Sequence, residues 1–251
     1  MPTTTTHTLG PAEVTVRDND DHDRTDPFLL LHGGGGVATM TGFADLLAER
    51  TRSRVLLPTH PGFGGTPKAA HLTGVTALAR LYVDLLDRLG LTGVTVAGNS
   101  FGGWLAAEIA LLKSPRVRRA VIVDGIGIEV AGHPLTDISG MSVAEIRTLS
   151  FHDPGRAPAP AGGGPGPSPD VRALIGYTGP AMTDPALARR LSEITVPVHV
   201  LWGESDGIAG PEYGKAYAAA IPGSTFTLLP RTGHLPQVET PGELLDAMLG
   251  G

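Results

Sequence analysis

The 251-residue sequence contains no cysteine. Disulfides, thiol nucleophiles, cysteine-ligated zinc and iron–sulfur clusters are therefore excluded. The sequence also lacks any apolar run of about 18 residues or more, so we expect no membrane-spanning helix. Met1–Gly10 is rich in threonine and has neither a charged n-region nor an apolar h-region. We therefore expect no secretory signal and a cytoplasmic location.

Basic charge is also scarce. The chain carries 19 lysines and arginines against 25 acidic residues, a net charge of −6. Without a basic block there is no electrostatic attraction to nucleic acid or to an anionic membrane, so we exclude both as general partners. Apolar residues make up 41% of the chain and charged residues 18%, which is typical of a folded globular protein. The expected partner is a small-molecule substrate, bound by a monomer or a homodimer.

Short apolar runs alternate along the chain with segments of helical periodicity. The predicted strands are Glu13–Arg17 (as an edge strand), Pro27–Leu31, Arg54–Pro58, Gly93–Ala97, Arg116–Asp124, Val196–Trp202 and Ser224–Leu229. The predicted helices are Met40–Arg50, Val75–Leu89, Ser100–Leu112, Glu212–Ala220 and Thr240–Leu249. Such alternation predicts an α/β fold, with a mostly parallel central sheet and helices on both faces. The acidic stretch Asn19–Asp26 is interpreted as a solvated loop.

One interval breaks the alternation. Between residues 125 and 194 no strand is predicted, and only Ser142–Phe151 and Asp184–Ile194 have helical character. Proline and glycine fill 11 of the 16 positions of Pro154–Pro169, a composition that favours disorder. We interpret residues 1–124 and 195–251 as the core and residues 125–194 as a helical lid insertion with a mobile middle. The alternative is a surface loop without a functional role.

The strongest chemical signal is Gly98-Asn99-Ser100-Phe101-Gly102, which lies between a predicted strand and a predicted helix. A nucleophilic serine must project from a tight turn, and glycine at both ends permits the close backbone approach that this requires. The helix that follows directs its N-terminal N–H groups at the turn and favours negative charge there. The motif alone is equally consistent with a tight turn in which the serine caps the helix.

A second signal is His32-Gly33-Gly34-Gly35-Gly36, which follows the predicted strand Pro27–Leu31. Consecutive glycines allow backbone N–H groups to point at an anion. A Walker-type phosphate loop is excluded because no Lys-Ser or Lys-Thr pair follows, and the glycine spacing does not match a dinucleotide fingerprint. Considered together with Ser100, the loop is best interpreted as a site for an oxyanion.

Asp206 and His234 each follow a late predicted strand. A serine hydroxyl needs a neutral imidazole to take its proton, and the imidazole needs a carboxylate to orient it. Because loops that follow parallel strands gather at one edge of the sheet, we expect Ser100, Asp206 and His234 to meet there.

The order serine, acid, histidine with a His-Gly-Gly loop upstream resembles the α/β-hydrolase fold family. Pro61-Gly62-Phe63-Gly64-Gly65-Thr66 also resembles a loop of that family, and the resemblance runs from about Pro27 to the C-terminus. It implies a nucleophile elbow and a catalytic triad. The implied roles are nucleophile for Ser100, base for His234, orienting acid for Asp206, oxyanion-hole donors for the N–H groups of Gly34 and Phe101, and substrate contacts for Gly33, Asn99, Ile208 and Leu235. No cofactor and no metal are implied.

Several alternative assignments remain open. Asp124 ends a predicted strand at a position from which some family members take the acid, and Glu204 lies near Asp206; we prefer Asp206. The residues expected to be structural are His32, His60, Trp104 and Trp202, while His133 and His152 are expected on the surface. A metal site is not predicted, because no His-x-x-x-His or His-Glu-x-x-His spacing occurs.

The resemblance implies a serine hydrolase that cleaves a small, largely apolar carboxylic ester. An alternative is carbon–carbon bond hydrolysis, because Gly98–Gly103 resembles the elbow of meta-cleavage-product hydrolases; against this, residue 235 is leucine where we expect an aromatic residue in that group. A third possibility is a ligand-binding protein, or a non-hydrolytic lyase or cyclase, on the same fold.

Overall fold

The computed structural model describes residues 2–19, 26–138, 140–157 and 168–250. Its strands are β1 (Thr3–Leu9), β2 (Ala12–Asp18), β3 (Phe28–Leu31), β4 (Val55–Thr59), β5 (Val94–Asn99), β6 (Val117–Val123), β7 (Val198–Gly203) and β8 (Thr225–Leu229). They form one sheet in the order β1-β2-β4-β3-β5-β6-β7-β8. The pairs β1/β2 and β2/β4 are antiparallel, and the others are parallel. The predicted mostly parallel α/β sheet is confirmed.

Helices cover both faces of this sheet. They are α1 (Ala38–Thr51), α2 (Val75–Arg88), α3 (Phe101–Leu111), α4 (Val143–Ser150), α5 (Pro169–Thr178), α6 (Leu187–Leu191), α7 (Pro211–Ala219), α8 (Pro236–Glu239) and α9 (Pro241–Gly250), with a 3-10 turn at Pro154–Arg156. Side chains alternate across a strand, so Leu29 and Leu31 of β3 join the core with α2, α3 and α7, whereas Phe28 and Leu30 join the core with α1 and α9. This alternation explains why the buried strands read as unbroken apolar runs.

The order of the strands reverses at the centre of the sheet. From β3 the chain moves outward to β4, and it then returns to form β5 on the other side of β3. Leu31 pairs with Gly98 where β3 and β5 end, so the two glycine-containing loops that follow these strands lie side by side. Ligands of open α/β sheets bind in the crevice at such a reversal, so we expect a ligand site at this edge.

The structure corrects some predicted elements. The segment predicted as an edge strand, Glu13–Arg17, lies in β2 and pairs on both sides, because β1 forms the edge. Helix α5 was not predicted, and it begins inside the proline-rich segment because Pro169 occupies its first turn and Ser168 caps it. Residues 158–167 of that segment, and residues 20–25 of the acidic stretch, lie outside the described residues.

The described parts of residues 125–194 contact the loops that follow several strands. Asp170 of α5 accepts a hydrogen bond from the N–H of Gly64 at 2.8 Å, and the hydroxyl of Tyr177 donates to the carbonyl of Pro61 at 2.9 Å. The carbonyl of Leu149 accepts from the N–H of Gly207 at 2.9 Å. The segment therefore packs over the carboxyl edge of the sheet; its role as a lid stays a prediction.

A buried ion-pair cluster attaches α6 to α3. Arg190 donates two hydrogen bonds to Glu108, at 2.6 and 3.0 Å, and a third to Asp184 at 2.7 Å. The Glu108 side chain is only 2% exposed and also accepts from Thr76 and the Trp104 indole. Such a carboxylate is stable in the interior only while its donors remain in place.

None of the helices within the described residues is long and apolar enough to cross a bilayer.

Arg190→Met should lower the free energy of unfolding by about 3 kcal/mol, because it leaves the buried Glu108 carboxylate without its cation. Chemical denaturation measures this loss. The matched control is Arg50→Met, whose partner Asp246 lies 3.2 Å away on the surface; it should cost about 1 kcal/mol or less. Equal losses in the two variants would contradict a supporting role for the buried cluster.

Candidate functional site

Ser100 occupies a strained turn between β5 and α3. Its backbone angles are φ 58° and ψ −116°, in a region that non-glycine residues rarely adopt. A Cβ on Gly98 would lie 2.1 Å from the carbonyl oxygen of Gly102, and a Cβ on Gly102 would lie 2.0 Å from that of Leu31. Both glycines are therefore required by close backbone contacts, as the sequence predicted for this turn.

Hydrogen bonds hold the backbone of Ser100 on both sides. Its N–H donates to the carbonyl of Val123 at 2.9 Å, and its carbonyl accepts from Gly103, Trp104 and Ile126. The side-chain hydroxyl, in contrast, makes no hydrogen bond to any other described residue. The surrounding strands thus fix the turn while the hydroxyl remains available.

The glycine loop after β3 lies against this turn. A Cβ on Gly33 would be 3.0 Å from the Cβ of Ser100, so the two residues are in contact. The N–H groups of Gly34 and Phe101 donate to no other residue in the described part of the chain. Leu174 of α5 covers Gly34, since a Cβ there would meet its Cδ2 at 2.9 Å. Free N–H donors next to a serine hydroxyl are what an oxyanion site requires.

His234 and Asp206 form a buried pair. The Nδ1 of His234 lies 2.7 Å from Oδ2 of Asp206. Asp206 Oδ1 accepts from the N–H groups of Ile208 and Ala209 at 2.8 and 3.0 Å, so the carboxylate is held in one orientation. With the proton on Nδ1, the Nε2 atom of the imidazole is left as an acceptor. Ser100 and His234 form no direct hydrogen bond in this conformation, and catalytic hydrogen bonds are often long without substrate.

The loop that carries His234 is fixed beside the serine turn by Asn99. The Asn99 amide donates to the carbonyl of His234 at 2.8 Å, and its oxygen accepts from Gln237 at 3.1 Å. Asn99 is buried, as is Ile208, whereas Leu235 is half-buried directly after the histidine. The substrate contacts proposed for Gly33, Asn99, Ile208 and Leu235 stay predictions.

His32 and His60 form a separate buried group behind the glycine loop. Their rings lie 3.8 Å apart, the N–H of His60 donates to Nε2 of His32 at 3.1 Å, and His60 contacts the hydroxyl of Tyr82. Burial lowers the pKa of His32 to about 4, and burial together with His32 lowers the pKa of His60 well below its usual value. Both rings are therefore neutral at pH 7 and support the start of the glycine loop.

Most side chains of the remaining predicted candidates bond to groups other than the serine hydroxyl. The indole of Trp104 donates to Glu108 and that of Trp202 to the carbonyl of Ala209, and both rings are buried. His133 and His152 are exposed, and the ring of His152 contacts the hydroxyl of Ser205. Glu204 is exposed and accepts from the N–H of Arg231.

Sequence reasoning missed Glu239. Its buried carboxylate accepts from the N–H groups of Gly233, His152 and Asp153 at 2.7 to 3.1 Å, which joins the histidine loop to residues 125–194. Its position five residues after His234 carries no periodic or motif signal, so only the three-dimensional structure identifies it.

Asp124, the alternative acid, lies next to the preferred one. Asp124, Asp206 and His234 are the one group of described residues whose potential metal-ligand atoms all lie within 4.8 Å of one another. The 2.7 Å contact between Nδ1 and Oδ2 is a hydrogen bond, which requires a proton between these atoms. This bond explains the grouping without an ion, and we assign no metal to it.

Comparison with known proteins shows similarity to this chain in sequence and in fold. A family model described as "Alpha/beta hydrolase family" matches residues 28–247. The chain is 36% identical over 107 residues to a 2-hydroxy-6-oxo-2,4-heptadienoate hydrolase of Pseudomonas putida, a match that covers 41% of this chain and only 38% of that relative. It is 24% identical over 258 residues to Lipase 1 of Psychrobacter immobilis, covering 95% of this chain and 80% of the lipase. A serine hydrolase of Cycloclasticus zankles shares the fold, with TM-score 0.79, 19% identity, and coverage of 99% of this chain and 96% of that one.

Gly102→Ala should lower the free energy of unfolding by about 3 kcal/mol or more, because the added methyl would overlap the carbonyl of Leu31. Chemical denaturation measures the change. Gly42→Ala is the matched control, because Gly42 is an exposed position of α1 with no neighbouring atom within 4 Å of an added Cβ. Its free energy of unfolding should rise by about 0.5–1 kcal/mol. Similar stability of the two variants would contradict the close contact at the turn.

Proposed function

Because the chain belongs to the α/β hydrolase family, we propose that it is a serine hydrolase in which Ser100 is the nucleophile, His234 the base and Asp206 the acid. The observation that carries this proposal is the 2.7 Å hydrogen bond between His234 and Asp206 in the loops beside the serine turn. That bond places the proton on Nδ1 and leaves Nε2 able to accept a proton from a hydroxyl.

The proposed reaction proceeds in two halves. Nε2 of His234 takes the proton of Ser100 as its Oγ attacks the substrate carbonyl. The N–H groups of Gly34 and Phe101 hold the resulting oxyanion, and each such donor is worth about 3–4 kcal/mol in the transition state. The imidazolium then protonates the leaving group and an acyl-enzyme forms, which water hydrolyses with the same imidazole as base. None of these steps requires a cofactor.

For the substrate we propose a small, largely apolar carboxylic ester. The residue next to the base, Leu235, is aliphatic and half-buried, and Leu174 places a further apolar surface on the oxyanion loop. The second candidate is carbon–carbon bond hydrolysis of a diketone-like compound. The 36% identity to a hydrolase of a dienoate substrate is the observation that favours it.

We also propose that residues 125–194 act as a lid. The covering of Gly34 by Leu174 and the 2.8 Å hydrogen bond from the N–H of His234 to the carbonyl of Ser150 support this role, because the segment contacts both sides of the site. The cytoplasmic location and the monomeric or homodimeric state stay predictions.

A fluorophosphonate probe should label the protein on one serine, and Ser100→Ala should abolish the labelling, as read by intact mass. Asp206→Asn should slow labelling by about 10⁴-fold, because the imidazole loses its orienting carboxylate. Ser205→Ala is the matched control, since this hydroxyl is in a neighbouring loop and contacts His152; it should label at the normal rate. Wild-type protein that stays unlabelled would favour a ligand-binding or non-hydrolytic protein.

Short p-nitrophenyl esters should be cleaved with a higher kcat/KM than a vinylogous diketone. The comparison is made by absorbance on the same preparation, with Ser100→Ala included to show that both activities depend on this site. A higher kcat/KM for the diketone would favour the second candidate and reject the ester proposal, while leaving the nucleophile assignment intact.

A further inference from the structure

The mechanism proposed above makes no use of Asp124, although its carboxyl group is fully buried at the end of β6. Its backbone is left-handed, with φ 45°. Oδ1 accepts one hydrogen bond, from the N–H of Gly203 at 2.7 Å. Oδ2 is buried and has no donor among the described residues. A buried polar atom without a donor calls for an explanation.

The two neighbouring carboxyl groups differ in their donors. Asp206 accepts three N–H groups, those of Ile208, Ala209 and the His234 ring. Asp124 accepts one. Oxygens of the two carboxyls lie within 4.8 Å of each other in the interior, where two negative charges at this distance cannot both be maintained. The surroundings stabilise Asp206, which has three donors, as the anion. The proton therefore belongs on Asp124.

We propose that Asp124 is a positioning residue that stays protonated and donates a hydrogen bond from its Oδ2 to the Asp206 carboxylate. This explains why no donor faces Oδ2 of Asp124: the protonated oxygen is a hydroxyl, which donates a hydrogen bond and does not have to accept one. The inference rests on the proposed function, since its effect on catalysis passes through Asp206 to His234. The hydroxyl draws negative charge away from the imidazole and keeps the base from binding its proton too tightly.

The electrostatics of the site agree with this assignment. Burial, followed by the charge of Asp206, raises the pKa of Asp124 well above its usual range. The other titratable groups of the surrounding loops have partners of their own. Glu239 of α8 accepts the N–H groups of Gly233, His152 and Asp153, the ring of His152 contacts Ser205, and Glu204 accepts the N–H of Arg231.

The first test needs neither substrate nor activity. A native state that keeps a proton which the unfolded chain releases becomes less stable as pH rises. Between about pH 5 and about pH 7, the unfolding equilibrium of the wild type should therefore move toward the unfolded state by about tenfold per pH unit relative to Asp124→Asn. Asparagine suits the site, because it tolerates left-handed backbone and can accept from Gly203 while donating to Asp206. A constant ratio between the two proteins over this range would show that Asp124 is ionised, and would overturn the proposal.

The second test follows the rate of fluorophosphonate labelling against pH. The rate should rise as the base loses its proton, and Asp124→Asn should keep the midpoint of that rise, because its amide replaces the hydroxyl donor. Asp124→Ala should move the midpoint to higher pH by on the order of half a unit, because Asp206 then holds the imidazolium more strongly. A midpoint that falls in Asp124→Asn would mean that a negative charge had been removed, which contradicts a neutral Asp124.

The matched control is Glu204→Gln, which removes an exposed carboxylate from the same loop as Asp206 and should leave the midpoint unchanged. An unshifted midpoint in folded Asp124→Ala would also reject the positioning role. If Asp124→Ala does not fold, the pH dependence of the stability of the wild type relative to Asp124→Asn tests the proposal instead. Failure of the proposed function gives a different result, in which no variant is labelled while the pH dependence of stability still reports the state of Asp124.

Discussion

The close approach of three backbone segments at Ser100 is the constraint on which the rest of the site depends. The strained angles of this residue persist because Gly98, Gly102 and the end of β3 meet at distances that exclude any side chain. The N–H of Ser100 bonds to β6, so the turn is built from three adjacent parallel strands at once. The geometry of the serine is therefore a property of the whole central sheet.

Around this turn, buried polar residues outside the proposed triad hold the histidine loop in place. Asn99 reaches from the serine turn to the carbonyl of His234, and Glu239 bonds the histidine loop to the segment above it. These groups are buried, where a polar group left unpaired costs about 1–3 kcal/mol. Because an arrangement of the loops that leaves one of these groups unpaired is unfavourable by this amount, few arrangements are compatible with the folded protein. Polar contacts between loops thus help to determine where the imidazole lies.

The sequence predicted those parts of the molecule in which the local residue pattern and the required chemistry indicate the same structure. Buried strands appear as apolar runs, the paired glycines around Ser100 follow from steric need, and the order of Ser100, Asp206 and His234 indicated one edge of the sheet. Strand β1 was missed because its exposed threonines carry no apolar alternation. Helix α5 was missed because the proline that begins it belongs to a breaker-rich segment. The sequence favoured Asp206 over Asp124 as the acid but left both open, because the hydrogen bond to His234 and the N–H groups that face each carboxyl exist only in the folded chain.

Which bond the site cleaves is a separate question from how the serine is activated. Attack on an ester and attack on a diketone both place negative charge on a carbonyl oxygen, so the serine, the imidazole and the two amide donors serve either reaction equally. Discrimination must come from groups that touch the departing part of the substrate, since only differential binding in the transition state separates two substrates. Residues 125–194 contact the oxyanion loop through Leu174 and the base loop through Ser150. Specificity is therefore expected to reside in that segment.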